Sequence, residues 1–373
     1  MMQEQRLINE FMELVQIDSE SKNERKIADI LKMKFASYGL KVIEDNSAHS
    51  TGHGAGNLIC TLKGTLLNTT PIFFCSHMDT VAPGQGIKPS IKDGYVVSDG
   101  STILGADDKA GIAAMLETIR ILKENQIQHG TIQFILTVGE ERGLVGAKAL
   151  DLSQINAKYG YVLDHGGQVG NIVTAAPSQA ELRVEIFGKA AHAGLAPEQG
   201  ISAITIASQA IAEMRLGRID EETTANIGHF QGIGETNIVC DYVQITAEVR
   251  SMDTLKLNKQ VEMMKNGFEM AAYHMGGQVE IDVQYVYPGF QFDEGDSVVQ
   301  IAKQAADHIG CSFQCQRTGG GSDANILAGL GIPTVNLAVG YEDIHTTHER
   351  LSISEFGKCV KMMVAIIEEV AKR

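Results

Sequence analysis

Acids and histidines in this sequence gather at the ends of apolar runs. PIFFCS leads into His77-Met78-Asp79, TIQFILTVG into Glu140-Glu141, and YGYVL into Asp164-His165. IPTVNLAV is followed within a few residues by Asp343, His345 and His348, and a fifth cluster, Asp107-Asp108-Lys109, opens a helical stretch. Taken one at a time, these have ordinary explanations. A first-turn acid interacting with the helix dipole accounts for one of Asp107 and Asp108, an Asx turn for Asp164, and a solvated helix start for Glu140-Glu141. Taken together, their energetics point elsewhere. Two carboxylates about 4 Å apart at an effective dielectric near 20 repel by about 4 kcal/mol, and several such pairs would exhaust the ~5–15 kcal/mol stability of a domain. Protonation or a cation must relieve them. Imidazole beside carboxylate, without cysteine nearby, selects zinc, manganese or cobalt before calcium, and suits a catalytic rather than a structural site.

The elements that would carry these groups follow from periodicity. NLICTLKG, PIFFCSH, TIQFILTV and YGYVL are expected strands, with a helix from about Lys109 to Lys123 and a short helix after the Glu140 region. Ser21 with Glu24 reads as a capping box ahead of KIADILKMKFASYGL, which Gly39 can terminate, and Ser352 with Glu355 as another ahead of the last helix. This alternation predicts an α/β fold: a mixed, mostly parallel sheet covered by helices. The carboxyl ends of such strands form a rim where chain-distant groups meet. From about Ser178 to Tyr287 the order becomes βαββαβ, a split-βαβ sandwich long enough for a separate α+β domain. The expected division is 1–176 with 289–373 for the α/β domain and 177–288 for the insert.

The whole-chain composition excludes other classes. The 373 residues carry 31 basic and 46 acidic side chains, a net charge of −15. Such a surface repels phosphate backbones and anionic lipid, so neither nucleic acid nor a membrane is an expected partner. MMQEQRLINEFMELVQI has no basic region followed by an apolar run, and no stretch reaches the length of a membrane span. Six cysteines are scattered without a C-x-x-C pair, as in a cytoplasmic protein with reduced thiols. No G-x-G-x-x-G follows the early strands, which sets aside a dinucleotide-binding enzyme.

SHMDTV, LGADDKAG, TVGEERGLVGA, the aspartate of YVLDHGG, GGGSDA and the histidine of IHTTHE, in this order from about residue 75 to 349, resemble the co-catalytic dizinc exopeptidases related to peptidase T and carboxypeptidase G. GADDKAG and the long form of GEERGLVGAK are similar to the peptidase T-like, tripeptidase branch. The resemblance implies a dizinc exopeptidase fold whose insert is the family's lid or dimerisation domain, and it allows a homodimer through that insert. It implies two divalent metal ions per chain, zinc first with cobalt or manganese as alternatives. His77 and Asp164 would hold one ion, Glu141 and His345 the other, with Asp107 bridging both. Asp79 would hydrogen-bond the second ring nitrogen of His77, and Glu140 would be the general base. On the insert, His192 in GKAAHAGLAP resembles a carbonyl or oxyanion donor. Asn237 and Arg250 resemble groups that hold a substrate carbonyl or carboxylate, and Arg317 before GGGSDA is a second carboxylate binder. Thr318 and a third glycine separate Arg317 from the aspartate more widely than the tripeptidase pattern does. The implied activity is hydrolysis of short peptides, most specifically as an aminotripeptidase. Dipeptides, C-terminal residues and N-acyl amino acids are alternative substrates. Retention of Glu140, which no ligand set requires, speaks against a binding protein that has lost catalysis.

Overall fold

Strands covered on both faces have no use for polar alternation, and two apolar segments of the sequence behave accordingly. Ile72–His77 and Ile132–Thr137 are buried at every position. A computed structural model describes residues 3–373, and the chain divides into two compact units. Unit 1 comprises Met1–Ala175, Gln291–Arg317 and Ser322–Arg373, and unit 2 comprises Ala176–Phe290 with Thr318–Gly321.

In unit 1 the main sheet places its strands in the order Lys41–Glu44, Leu58–Leu62, Ile132–Thr137, Ile72–His77, Tyr159–His165, Thr334–Ala338, Asn171–Ala176, with Gln314–Arg317 also paired to Asn171–Ala176. The four middle strands, Ile132–Thr137 to Thr334–Ala338, are mutually parallel, and antiparallel pairs lie to either side. The sheet is therefore mixed and mostly parallel, as the alternation of elements predicts. Parallel neighbours end at the same edge. His77, the turn before Glu140, Asp164 and the loop leading to His345 thus share one rim.

Helices cover this sheet. Glu4–Val15 buries Leu7, Ile8, Phe11, Leu14 and Val15, one stripe at helical spacing. Ala106–Glu124 is buried along most of its length, which its run of alanine and glycine permits. Phe35, Phe134, Phe74 and Tyr161 form a continuous aromatic column with centroid separations of 5.7 to 6.1 Å. The expected capping box at Ser21 and Glu24 does not form. Helix Arg25–Ser37 has Glu24 in αR geometry at its cap with no side-chain bond. The Ser21 hydroxyl instead donates to Asp79 Oδ2 at 2.6 Å, and Glu24 pairs with His53. Tertiary partners, one a buried carboxylate and the other a buried imidazole, outcompete the local motif. At the last helix Ser352 does cap, accepting from the Glu355 amide, while the Glu355 carboxylate turns to Val169 N and Lys358.

Unit 2 is a five-stranded antiparallel sheet in the order Gly217–Arg218, Thr223–Gly232, Tyr242–Ser251, Ser178–Phe187, Gln278–Tyr287. With helices Ala203–Glu213 and Thr254–Met275, its long elements run βαββαβ. Ala180, Leu182, Val184 and Ile186 alternate onto one face and pack with the buried stripes of both helices. Among the described residues no helix is long and apolar enough to cross a membrane.

Three helices of unit 1 are tied by a polar network. Arg6 donates Nε and Nη2 to Glu117 at 2.9 and 2.8 Å. Arg120 reaches Glu117 and Glu10, and Lys34 reaches Glu10. The Glu117 side chain is fully buried while Arg6 keeps partial access to water. Glu117→Ala should therefore lower the unfolding free energy in urea by about 3 kcal/mol, the low end for breaking a buried pair. A loss below about 1 kcal/mol would show that Arg6 relaxes into solvent at little cost.

Candidate metal centre

Seven of the acids and histidines singled out in the sequence meet at the rim of the unit 1 sheet. The Nε2 atoms of His77 and His345 reach different oxygens of one carboxylate, Asp107 Oδ1 at 2.9 Å and Oδ2 at 3.2 Å. Asp164 Oδ1 lies 3.8 Å from His77 Nε2, and Glu141 Oε1 lies 3.0 Å from His345 Nε2. His77, Asp107 and Asp164 each bring a donor atom within 4.8 Å of the others, and so do Asp107, Glu141 and His345. Asp107 is common to both groups. Glu140 falls in a third such group with His77 and Glu141. Asp79 sits behind His77: its carbonyl oxygen is 2.9 Å from Nδ1 and its Oδ1 3.5 Å. The carboxylate also accepts from Ser21 and, at 3.0 Å, from the Glu140 amide. Asp79 thus connects the imidazole with the turn that carries Glu140 and Glu141.

The charges are out of balance. Burial pushes Asp164 well above the usual carboxylate range, and the nearby Asp107 and Glu140 add to it. Burial does the same to Glu140 despite His77. For Asp107 burial also opposes charge, yet hydrogen bonds from His345 and His77 hold it well below the ordinary value. Asp107 and then Glu141 raise His345 to about 10. The two imidazoles satisfy one bridging carboxylate and leave the other acids in excess. Imidazole nitrogens and carboxylate oxygens are the donors that borderline divalent cations prefer, and such cations would neutralise this excess. The residues present fit the group.

The remainder of GADDKAG has structural work that sequence reading did not assign. Asp108 Oδ2 accepts from the His77 amide at 3.3 Å. Lys109 is fully buried, donates from Nζ to the Ile17 carbonyl at 2.8 Å, and is pushed down to about 7 by burial. A Cβ on Gly111 would lie 2.3 Å from Ser76 Oγ and 2.9 Å from the Leu163 carbonyl, so only glycine allows this helix so close to the strands. Tyr341, Asn336, Asp323 and Glu349 were also missed. Tyr341 donates to Asp164 Oδ1 at 3.0 Å, and Asn336 brackets the Asp164 backbone through its amide and carbonyl. Asp323 of GGGSDA accepts from Thr137 at 2.5 Å and is raised to about 6 by burial. Glu349 accepts three backbone amides, those of Leu104, Gly105 and Asp107. An acid following a histidine-bearing loop was the available signal for Glu349. No local pattern marks Tyr341 or Asn336.

Other sequence candidates are not among these groups. His165 pairs with Gln316 at 3.0 Å, Asp343 lies 3.7 Å from Arg350, and His348 is exposed. Arg317 ends an edge strand and is exposed. Within unit 2, His192 is exposed and its Nδ1 accepts from the Gly194 and Leu195 amides at 3.2 and 3.1 Å. That pattern puts the ring proton on Nε2, which makes His192 an outward donor. Asn237 accepts from the Ala193 amide through its carbonyl, which joins it to the His192 segment. Arg250 is held by Glu248 through Nε and Nη2, both at 3.1 Å, and gives Nη1 to the Gly319 carbonyl.

A family model described as peptidase family M20/M25/M40 matches residues 73–369. The crystal structure of aminopeptidase PepT from Bacillus cereus is 62% identical, with a TM-score of 0.94 over 99% of both chains. That of a tripeptidase from Staphylococcus aureus is 49% identical, with a TM-score of 0.97 over 100% of both chains. The Bacillus subtilis protein YqjE is 62% identical over 100% of each sequence.

Asp107 offers one oxygen to each side of the cluster, so its loss should be felt on both. Asp107→Ala should reduce divalent cation uptake at every site that calorimetry of chelator-treated protein resolves. Uptake equal to wild type would exclude Asp107 as a shared ligand.

Proposed function

This chain belongs to peptidase family M20/M25/M40, and we propose that it is a dinuclear metallo-exopeptidase that hydrolyses short peptides, most specifically as an aminotripeptidase. One observation carries the dinuclear reading: a single buried carboxylate, Asp107, is engaged through separate oxygens by two imidazoles from distant segments. In this reading His77 and Asp164 hold one cation, Glu141 and His345 the other, and Asp107 bridges. Zinc is the first choice for this donor set, with cobalt or manganese as alternatives. The tripeptide preference draws on the similarity to the aminopeptidase and tripeptidase above.

Two divalent cations bound there would lower the pKa of a shared water and polarise the scissile carbonyl. The residues of the chain then have separate tasks. Glu140, buried beside His77 and Glu141, would take the proton of the attacking water and pass it to the leaving amine. Asp79 orients the His77 ring and, through the Glu140 amide, the turn bearing the base. His192 offers Nε2–H to the developing oxyanion, with Asn237 beside it for a substrate carbonyl. Arg250 or Arg317 pairs with the peptide carboxylate.

Glu140→Gln preserves shape and removes the proton acceptor, so turnover should fall by at least about 10²-fold with metal content unchanged. Metal lost together with activity would make Glu140 a ligand instead.

The carboxylate clamp has its own measurement. A C-terminally amidated tripeptide should show a higher KM than the free acid, and replacing the responsible arginine by alanine should abolish that difference. Because the Arg250 fork is already held by Glu248, the two arginines are to be compared side by side. Equal kinetics for both peptides in the wild type would remove the clamp and favour a broader amidohydrolase acting on dipeptides or N-acyl amino acids.

A further inference from the structure

Glu349 is almost wholly buried and uses both carboxylate oxygens on a single stretch of backbone. Oε2 accepts from Leu104 N and Gly105 N, each at 2.8 Å, and Oε1 accepts from Asp107 N at 3.0 Å. Asp107 and Asp108 have non-helical backbone angles although they sit in the first turn of their helix, and Gly105 before them is left-handed at φ 73°. The amides at this helix entry are therefore not committed to helix hydrogen bonds. They converge on one anion as in an anion-binding nest. The anion is supplied by the segment that also carries His345, four residues earlier. A single side chain thus joins the segment bearing the shared carboxylate to the segment bearing one of the imidazoles that reach it.

We propose that Glu349 is a positioning residue that sets Asp107 in its bridging place between the two halves of the metal centre. This rests on the dinuclear reading above. The plainer account is that a buried acid satisfies loop amides and contributes only stability. The two accounts differ in what happens to the metals. If Glu349 acts through Asp107, its loss weakens both cations together, because both depend on where that carboxylate stands. Gln is nearly isosteric but replaces one accepting oxygen with an NH2 donor that faces a backbone N–H, so it disrupts the cradle without creating a large cavity.

The test is titration of chelator-treated protein with cobalt(II), following affinity by calorimetry and ligand geometry by visible absorption. Glu349→Gln should lose about tenfold or more in affinity at both sites, as supporting partners of metal ligands do, with altered absorption bands. Glu349→Asp keeps the charge one methylene short, remains available if the Gln variant folds poorly, and should lie between. Glu117→Ala is the control: it should lower stability while leaving affinity and spectrum unchanged. Glu349→Gln with wild-type affinities and bands would overturn the inference and leave the dinuclear reading standing. Wild-type protein that takes up fewer than two ions would overturn the dinuclear reading itself, and the role of Glu349 with it.

Discussion

The structure depends on keeping too many acids in too little water. Asp79, Asp107, Asp108, Glu140, Asp164, Asp323 and Glu349 are buried or nearly so in one region of unit 1. His77, His345 and Lys109 oppose them. The low effective dielectric of such a place raises the cost of every uncompensated charge. Each acid has accordingly been given a partner or driven towards neutrality. Asp79 has the Ser21 hydroxyl and the Glu140 amide, Asp164 has Tyr341, Asp323 has Thr137, and Glu349 has three backbone amides. Glu140, Asp164 and Asp108 remain strongly raised by burial. What is left over is a demand for positive charge, placed where nitrogen and oxygen donors already converge.

The fold meets this demand by geometry. Parallel strands present their carboxyl ends at one edge, so segments spread from His77 to His345 can each contribute a donor there. Two glycines then set the distances. Gly111 lets the helix behind Asp107 lie against Ser76 and the Leu163 carbonyl. Gly139, at φ 59°, turns the chain into Glu140 where any Cβ would meet the His53 ring at 2.3 Å. The same packing explains the surrender of the Ser21–Glu24 cap. A helix cap contributes about 1 kcal/mol, whereas an unpartnered buried carboxylate or imidazole costs more. Ser21 and Glu24 are spent on Asp79 and His53 instead.

Some of this could be read from the chain alone. The apolar runs PIFFCSH and TIQFILTV marked the strands that form at Ile72–His77 and Ile132–Thr137. The change to βαββαβ between Ser178 and Tyr287 located the second sheet. The ligand candidates were legible because acids and histidines recurred together at the ends of apolar strands, where ordinary explanations cover each one alone but not the set. Residue type, period and position relative to strand ends are local properties, and the sequence determined them by itself. Tertiary structure decided which oxygen faces which nitrogen. That His77 and His345 take opposite oxygens of Asp107, that Ser21 serves Asp79 rather than a helix, that Tyr341 holds Asp164 and that Glu349 gathers the amides before Asp107 are all contacts between segments far apart in the chain. Hydrogen bonds of that kind form only once packing has fixed both partners and excluded water. No propensity or spacing within a single segment encodes them.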